Sequence, residues 1–185
     1  MTGIGHLDQT LASAAKHNIK VILTLANNWE AFGGIDWYIQ TFNATYHDDF
    51  FTNPSIISAY KNYMKWMLNH VNPITGVAYK DDPTIMAFEL CNEPRCVGTG
   101  PVPSSNSCVP ATLTGWVDEV STYFKEIDSN HLLAIGDEGY FNHPDGPSYN
   151  DAYTNIWDGT SGDDFDTNIR LPNIDFGIFL MTAKN

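Results

Sequence analysis

Ile85-Met-Ala-Phe-Glu-Leu-Cys-Asn-Glu-Pro-Arg-Cys96 opens as an apolar run of strand length and closes on Asn92-Glu93-Pro94-Arg95. Pro94 has no N–H to give to a sheet ladder, so the strand ends there. Glu93 then sits at the carboxyl end of a buried strand, the edge at which parallel α/β sheets gather their functional groups. A carboxyl group held there among apolar neighbours is favoured in its protonated form and can act as a general acid near neutral pH. The same glutamate could equally cap or pair locally, and the tripeptide alone does not separate these readings.

Working outward, the segments on both sides alternate between helical and strand periodicity. Leu7, Leu11, Ala14, Ala15 and Ile19 recur at helical spacing, which predicts a helix over 6–17 that ends in a left-handed turn at Asn18. Lys20-Val-Ile-Leu-Thr-Leu-Ala26 reads as a buried strand that stops at Asn27-Asn28-Trp29. Gly33-Gly34 marks a turn, and the aromatic-rich stretch 35–52 reads as loop or short helix. Asn53-Pro54 is a capped helix start, followed by a stripe of Ile56, Tyr60, Tyr63, Met64, Met67, Leu68 and Val71. Asn72 to Gly76 reads as a turn before the strand at 84–91. Leu113, Trp116, Val117, Val120, Tyr123, Phe124 and Ile127 mark a further helix. Asp128 to His131 turns into a strand at 132–136 that ends in Gly136-Asp137-Glu138-Gly139. A polar loop over 140–173 precedes a fourth strand at 174–179, and His131 and His143 read as turn or surface residues.

This order predicts an α/β fold with four parallel strands in sequence, right-handed crossovers and helices on the outer face. Polar clusters at each strand's carboxyl end suit a (β/α)8 barrel or an open doubly wound sheet, and no Gly-rich phosphate fingerprint favours the nucleotide-binding version. A full barrel takes about 250 residues, whereas this chain has 185.

The chain carries 22 acidic and 9 basic residues, a net charge of −13, which argues against nucleic acid and anionic membrane as partners and suits a neutral ligand. No apolar run reaches the roughly 20 residues that span a bilayer. The start, Met1-Thr-Gly-Ile-Gly-His, lacks the pattern of a signal peptide. Of the three cysteines, Cys91 lies inside the strand as a buried thiol. Cys96 and Cys108 bracket a Gly-, Pro- and Ser-rich loop. They are either two free thiols or a disulfide worth about 3 kcal/mol of chain entropy, which would imply an oxidising compartment. Asn43-Ala-Thr45 fits a glycosylation acceptor.

Glu89-Leu-Cys-Asn-Glu-Pro-Arg-Cys96 resembles the acid/base motif of the retaining glycoside hydrolases with (β/α)8 barrels. Ala14 to Leu23, Asn27 to Gly34, Asp82 to Met86, Asp128 to His131, Gly136 to Gly139 and Ile174 to Gly177 are similar to stretches of the fungal-type endo-β-1,4-mannanases of glycoside hydrolase family 5. The resemblance runs to about Phe179. It implies a TIM-barrel fold, present over 1–185 as a partial catalytic domain holding about strands three to six. It also implies secretion, no cofactor, no metal ligands and β-mannan as the partner. By position, Glu93 matches the acid/base and Asn92 the residue that bonds the sugar 2-hydroxyl. Arg95, Glu138, Asn28 and Trp29 match cleft residues beside the sugar. Trp29 also fits a packing aromatic under the rim, and Arg95 with Glu138 also fits an ion pair.

A retaining hydrolase needs a second carboxylate about 5 Å from the first. The resemblance puts that glutamate on a strand after Asn185, and it puts the first two strands, with an active-site arginine, before Met1. Leu180 and Thr182 stand where the family has a His and a Tyr. The sequence therefore predicts a truncated, inactive mannanase-like chain with open sheet edges prone to self-association. A non-catalytic remnant with weak sugar binding and an endo-β-1,4-glucanase of the same family are the alternatives.

Overall fold

The computed structural model describes residues 3–98, 100–143 and 159–179. Helix α1, Gly3–Lys16, buries Leu11, Ala12 and Ala14, while Ala15 and Ile19 of the expected stripe face solvent. Asn18 ends the turn after it at φ 54°, the left-handed conformation that Asn tolerates. Strand β1, Val21–Thr24, leads through a short 3-10 turn into α2, Gly34–Thr41, and α3, Asp49–Thr52. Helix α4, Pro54–Asn69, starts as its sequence requires: Asn53 accepts from the Ser55 N–H and Pro54 occupies the first turn. Strand β2, Ile85–Glu89, helix α5, Pro110–Ile127, strand β3, Leu132–Ala134, and the short helix α6, Phe165–Asn168, follow.

The three strands pair in parallel in the order β1-β2-β3, with Thr24 beside Glu89 and Glu89 beside Ala134. Leu25, Phe88, Leu90, Leu133 and Ile135 are buried in the main core with residues of the helices, where the Phe88 ring meets Phe124 at 5.4 Å. Phe50, Tyr60 and Trp116 pack their rings 5.5 to 5.6 Å apart and join α3, α4 and α5 into one apolar layer. On the sheet row formed by Ile22, Ala87 and Leu132, the two outer members remain 39% and 44% exposed.

Pairing continues past the regular strands. Leu25 N bonds Glu89 O, Asn92 N bonds Ala26 O, Cys91 N bonds Ile135 O and Glu93 N bonds Gly136 O, at 2.8 to 3.0 Å. The ladder stops at Glu93, immediately before Pro94, as the missing donor demands. The buried Tyr60 hydroxyl holds the same segment from the helix layer by donating to Leu90 O at 2.6 Å. Cys96 and Cys108 form a disulfide with Cα atoms 5.7 Å apart, and Cys91 is buried and free.

One expectation fails and another holds only in part. Residues 174–179 are not a strand: Asp175 N bonds Leu133 O at 2.9 Å, but the Leu133 N–H goes to the Asp175 carboxylate at 2.8 Å, so a side chain takes the place of a ladder carbonyl. His131 lies in the expected turn but not at the surface. It is 6% exposed, with Nδ1 2.7 Å from the Asp128 carboxylate and Nε2 3.0 Å from Asp82 O, and it joins the turn before β3 to the turn before β2. Much of the expected 140–173 loop, and the positions of Leu180 and Thr182, lie outside the described residues.

Replacing Tyr60 by Phe strands the buried Leu90 carbonyl. The expected loss is about 1–2 kcal/mol, read as a lower midpoint in urea unfolding with an unchanged slope.

Candidate active site

Glu93 adopts φ 51°, a left-handed backbone that costs an L-residue about 1–2 kcal/mol. It is held there by its N–H bond to Gly136 O and by Pro94, which stops the chain from continuing the strand. Gly136 itself has φ 92°, and a Cβ at that position would run into the Cys91 carbonyl. Only glycine lets β3 come close enough to fix Glu93. Unusual backbone at a strand end, over-determined by its neighbours, is typical of functional sites.

Trp29, reached from the end of β1, donates its indole Nε1–H to Glu93 Oε2. The Arg95 guanidinium lies 5.3 Å from the Trp29 ring and 4.5 Å from that of Tyr140, donates to the Tyr140 hydroxyl at 2.8 Å, and forms an ion pair with Glu138. Burial pushes the Glu138 carboxyl up from its usual range; Arg95 opposes that shift and the nearby Glu93 adds to it. Asn92 donates from Nδ2 to Asn27 Oδ1 at 3.0 Å. Beneath, Thr24 donates to a Glu89 carboxylate oxygen at 2.5 Å. Trp29, Asn92, Glu93, Arg95 and Glu138, contributed by the ends of three strands, thus meet at one end of the sheet.

Asn28 differs from the others. It is 1% exposed, and its amide is spent on protein partners: Nδ2 donates to Val97 O at 3.1 Å, while Oδ1 accepts from Arg95 N at 3.1 Å and lies 3.0 Å from His47 Nε2. It holds the site from below instead of facing the cleft. The sequence reading missed His47, Asp36 and Tyr140. A signal for the first was present, a histidine followed by two aspartates at 47–49 in an otherwise aromatic stretch.

The strand next to Glu93 also carries an uncompensated acid. Asp137 is 1% exposed and neither carboxyl oxygen has a hydrogen-bond partner. Burial, with the negative charge of Asp163 next in weight, pushes its pKa up to about 9. Burial likewise raises Asp163, although Asn168 and the Asp164 N–H bond to it at 3.0 Å. No group of three or more His, Cys, Asp or Glu among the described residues is arranged to hold a metal ion.

The family described as GH family 5 beta-mannosidase-like matches residues 3–157. The "Probable mannan endo-1,4-beta-mannosidase C" of Aspergillus terreus is 43% identical over 176 residues, which make up 93% of this chain and 39% of that protein. Mannan endo-1,4-beta-mannosidase 4 of Solanum lycopersicum is 45% identical, with 92% and 40% covered. Among solved structures, the endo-1,4-beta-mannanase of Rhizomucor miehei superposes with a TM-score of 0.90 at 49% identity, over 96% of this chain and 48% of that one. The hyperthermostable endo-1,4-beta-D-mannanase of Thermotoga petrophila gives 0.86 at 40% identity. The chain therefore spans about 40% of the length of these curated relatives. Its strand–helix units are part of a (β/α)8 barrel.

The raised Asp137 predicts a pH dependence. The folded state keeps a proton that the unfolded chain releases near pH 4, so this contribution to stability is complete below pH 4 and falls as pH rises toward about 9. Asp137→Asn, which cannot ionise, should flatten the decline in melting temperature between pH 5 and pH 8 measured by circular dichroism.

Proposed function

Because the chain belongs to the GH family 5 beta-mannosidase-like family, we propose that these residues supply the acid/base side of a site for retaining hydrolysis of β-1,4-mannan, within one catalytic domain. The observation that carries this reading is Glu93, fixed in a left-handed strand end with its carboxyl oriented by the Trp29 indole. Glu93 protonates the departing glycosidic oxygen and, in the second step, takes a proton from the attacking water. The Asn92 amide oxygen, which has no protein donor among the described residues, accepts a sugar hydroxyl. Trp29 offers a ring face to the sugar, and Arg95 with Glu138 closes one wall.

Double displacement needs a second carboxylate. Among the described residues, Glu138 is committed to Arg95 and Glu89 to Thr24, and Asp137 is buried. A polypeptide of these 185 residues alone binds mannan weakly and does not cleave it. Its exposed Ile22 and Leu132 favour self-association. The disulfide is in keeping with an extracellular protein, and Asn43, exposed at the end of α2, is an accessible glycosylation acceptor.

The decisive test grafts these residues onto the remainder of the Rhizomucor miehei mannanase. The chimera should release reducing ends from mannan, and Glu93→Gln should lower kcat about 10²- to 10⁴-fold. A folded, active chimera indifferent to Glu93→Gln would refute the assignment, whereas mannan cleavage by the 185-residue chain alone would refute its expected inactivity.

A further inference from the structure

We propose that Asp36 and His47 form a buried positioning pair that sets the orientation of Glu93 through Asn28, Arg95 and Trp29. The importance of this pair for catalysis rests on Glu93 being the proton donor; the mechanical link does not.

The Asn28 amide fixes which His47 nitrogen carries a proton. Its Oδ1 is identified by the Arg95 N–H that it accepts, and its Nδ2 by the Val97 carbonyl to which it donates. Since Asn28 Oδ1 can only accept, His47 Nε2, 3.0 Å away, must carry a proton and donate it. The other ring nitrogen lies 2.6 Å from Asp36 Oδ1. One proton is shared across that contact, so the pair as a unit is neutral whichever atom holds it. That neutrality makes the arrangement tolerable in a place where His47 is 0% and Asp36 6% exposed. An apolar residue at 47 would leave the buried Asn28 oxygen one donor short, and an unpaired histidine would be free to choose the wrong tautomer.

The surrounding chain fixes the ring as tightly as its hydrogen bonds do. A Cβ on Gly98 would lie 2.6 Å from His47 Cε1 and Nδ1, so the backbone of the disulfide-closed loop rests on the imidazole. The His47 N–H donates to Pro103 O at 2.8 Å from the same loop. His47 therefore cannot rotate unless the loop lifts.

From Asn28 the constraint divides. Along the chain the next residue is Trp29, whose indole holds the Glu93 carboxyl. Across the strand ends, Asn28 holds the backbone of Arg95, two residues after Glu93, and the Arg95 guanidinium lies over the Trp29 ring. Both routes end at the same hydrogen bond, so the buried pair governs it from a distance without touching the cleft.

The test follows the indole N–H signals of the 15N-labelled chain against pH, with Glu93→Gln identifying the Trp29 signal and its dependence on the Glu93 carboxyl. His47→Gln, whose amide cannot reach both Asp36 and Asn28, should displace the Trp29 signal and alter its pH response. Asp36→Asn should do the same, and it stands as the second variant if the first does not fold. The signals of Trp66 and Trp116 should stay in place in both. Ser105→Ala is the control: it removes one side-chain bond from the same loop to Asp48, keeps the backbone N–H bond from residue 105 to Asp48, and alters no bond of Asp36, His47 or Asn28, so Trp29 should remain at its wild-type position. An unchanged Trp29 signal in folded His47→Gln and Asp36→Asn would overturn the proposal, as would an equal displacement by Ser105→Ala. A chimera indifferent to Glu93→Gln would instead count against the acid/base assignment and leave this spectroscopic result standing.

Discussion

The bond from the Glu93 N–H to the Gly136 carbonyl is the constraint on which the polar end of the molecule depends. It is the last rung of a parallel ladder, and it is made by a residue that has already left strand geometry. A left-handed glutamate is unfavourable in isolation. Here the ladder below it, the proline after it and the glycine opposite leave no other path. The Tyr60 hydroxyl secures the strand one turn of the ladder lower, at Leu90, so the aromatic layer between the helices and the position of one carboxyl group are parts of one mechanical system.

The features legible in the sequence were those set by local chemistry or by a short period. The apolar run that ends at Pro94, the Asn53 cap, the Asn18 turn and the bracketing of a loop by Cys96 and Cys108 each follow from a few adjacent residues, and each is found. The features that were not legible depend on contacts distant in sequence. Residues 174–179 have the composition of a strand, but Asp175 diverts the Leu133 N–H that a ladder would use. His131 sits in a polar turn and is buried because Asp82 and Asp128 both reach it. Asn28 matches a cleft residue only by resemblance, and the fold shows that its amide oxygen and nitrogen both bond protein partners.

The acidic composition also takes on meaning from placement. Several of the 22 carboxylates lie within the structure instead of on a solvated face: Asp8, Asp36, Asp48, Asp82 and Asp128 are all buried. Each of these has a partner. Asp8 accepts from Tyr79 and meets His70, Asp36 meets His47, Asp48 takes Ser105, Asp82 caps Thr84 and Asp128 orients His131. Asp137 is the exception, and it lies on the strand that carries Glu138. The protein thus uses most of its interior acids as acceptors that join one loop to another, and leaves Asp137 without a hydrogen-bond partner in a place that favours its neutral form.

The disulfide-closed loop is secured at more points than its covalent bond alone. Between Cys96 and Cys108 it lies against the His47 ring at Gly98, takes the His47 N–H at Pro103, and grips the Asp48 carboxylate at Ser105. Intervals of two, five, two and three residues separate these fixed points. A surface loop is ordinarily where a chain tolerates added or lost residues. This one behaves more like a ruler: a single inserted residue in any interval must displace either a half-cystine or the floor beneath the site. Its length is therefore a property of the buried scaffold, even though none of its described residues between the two cysteines is itself buried.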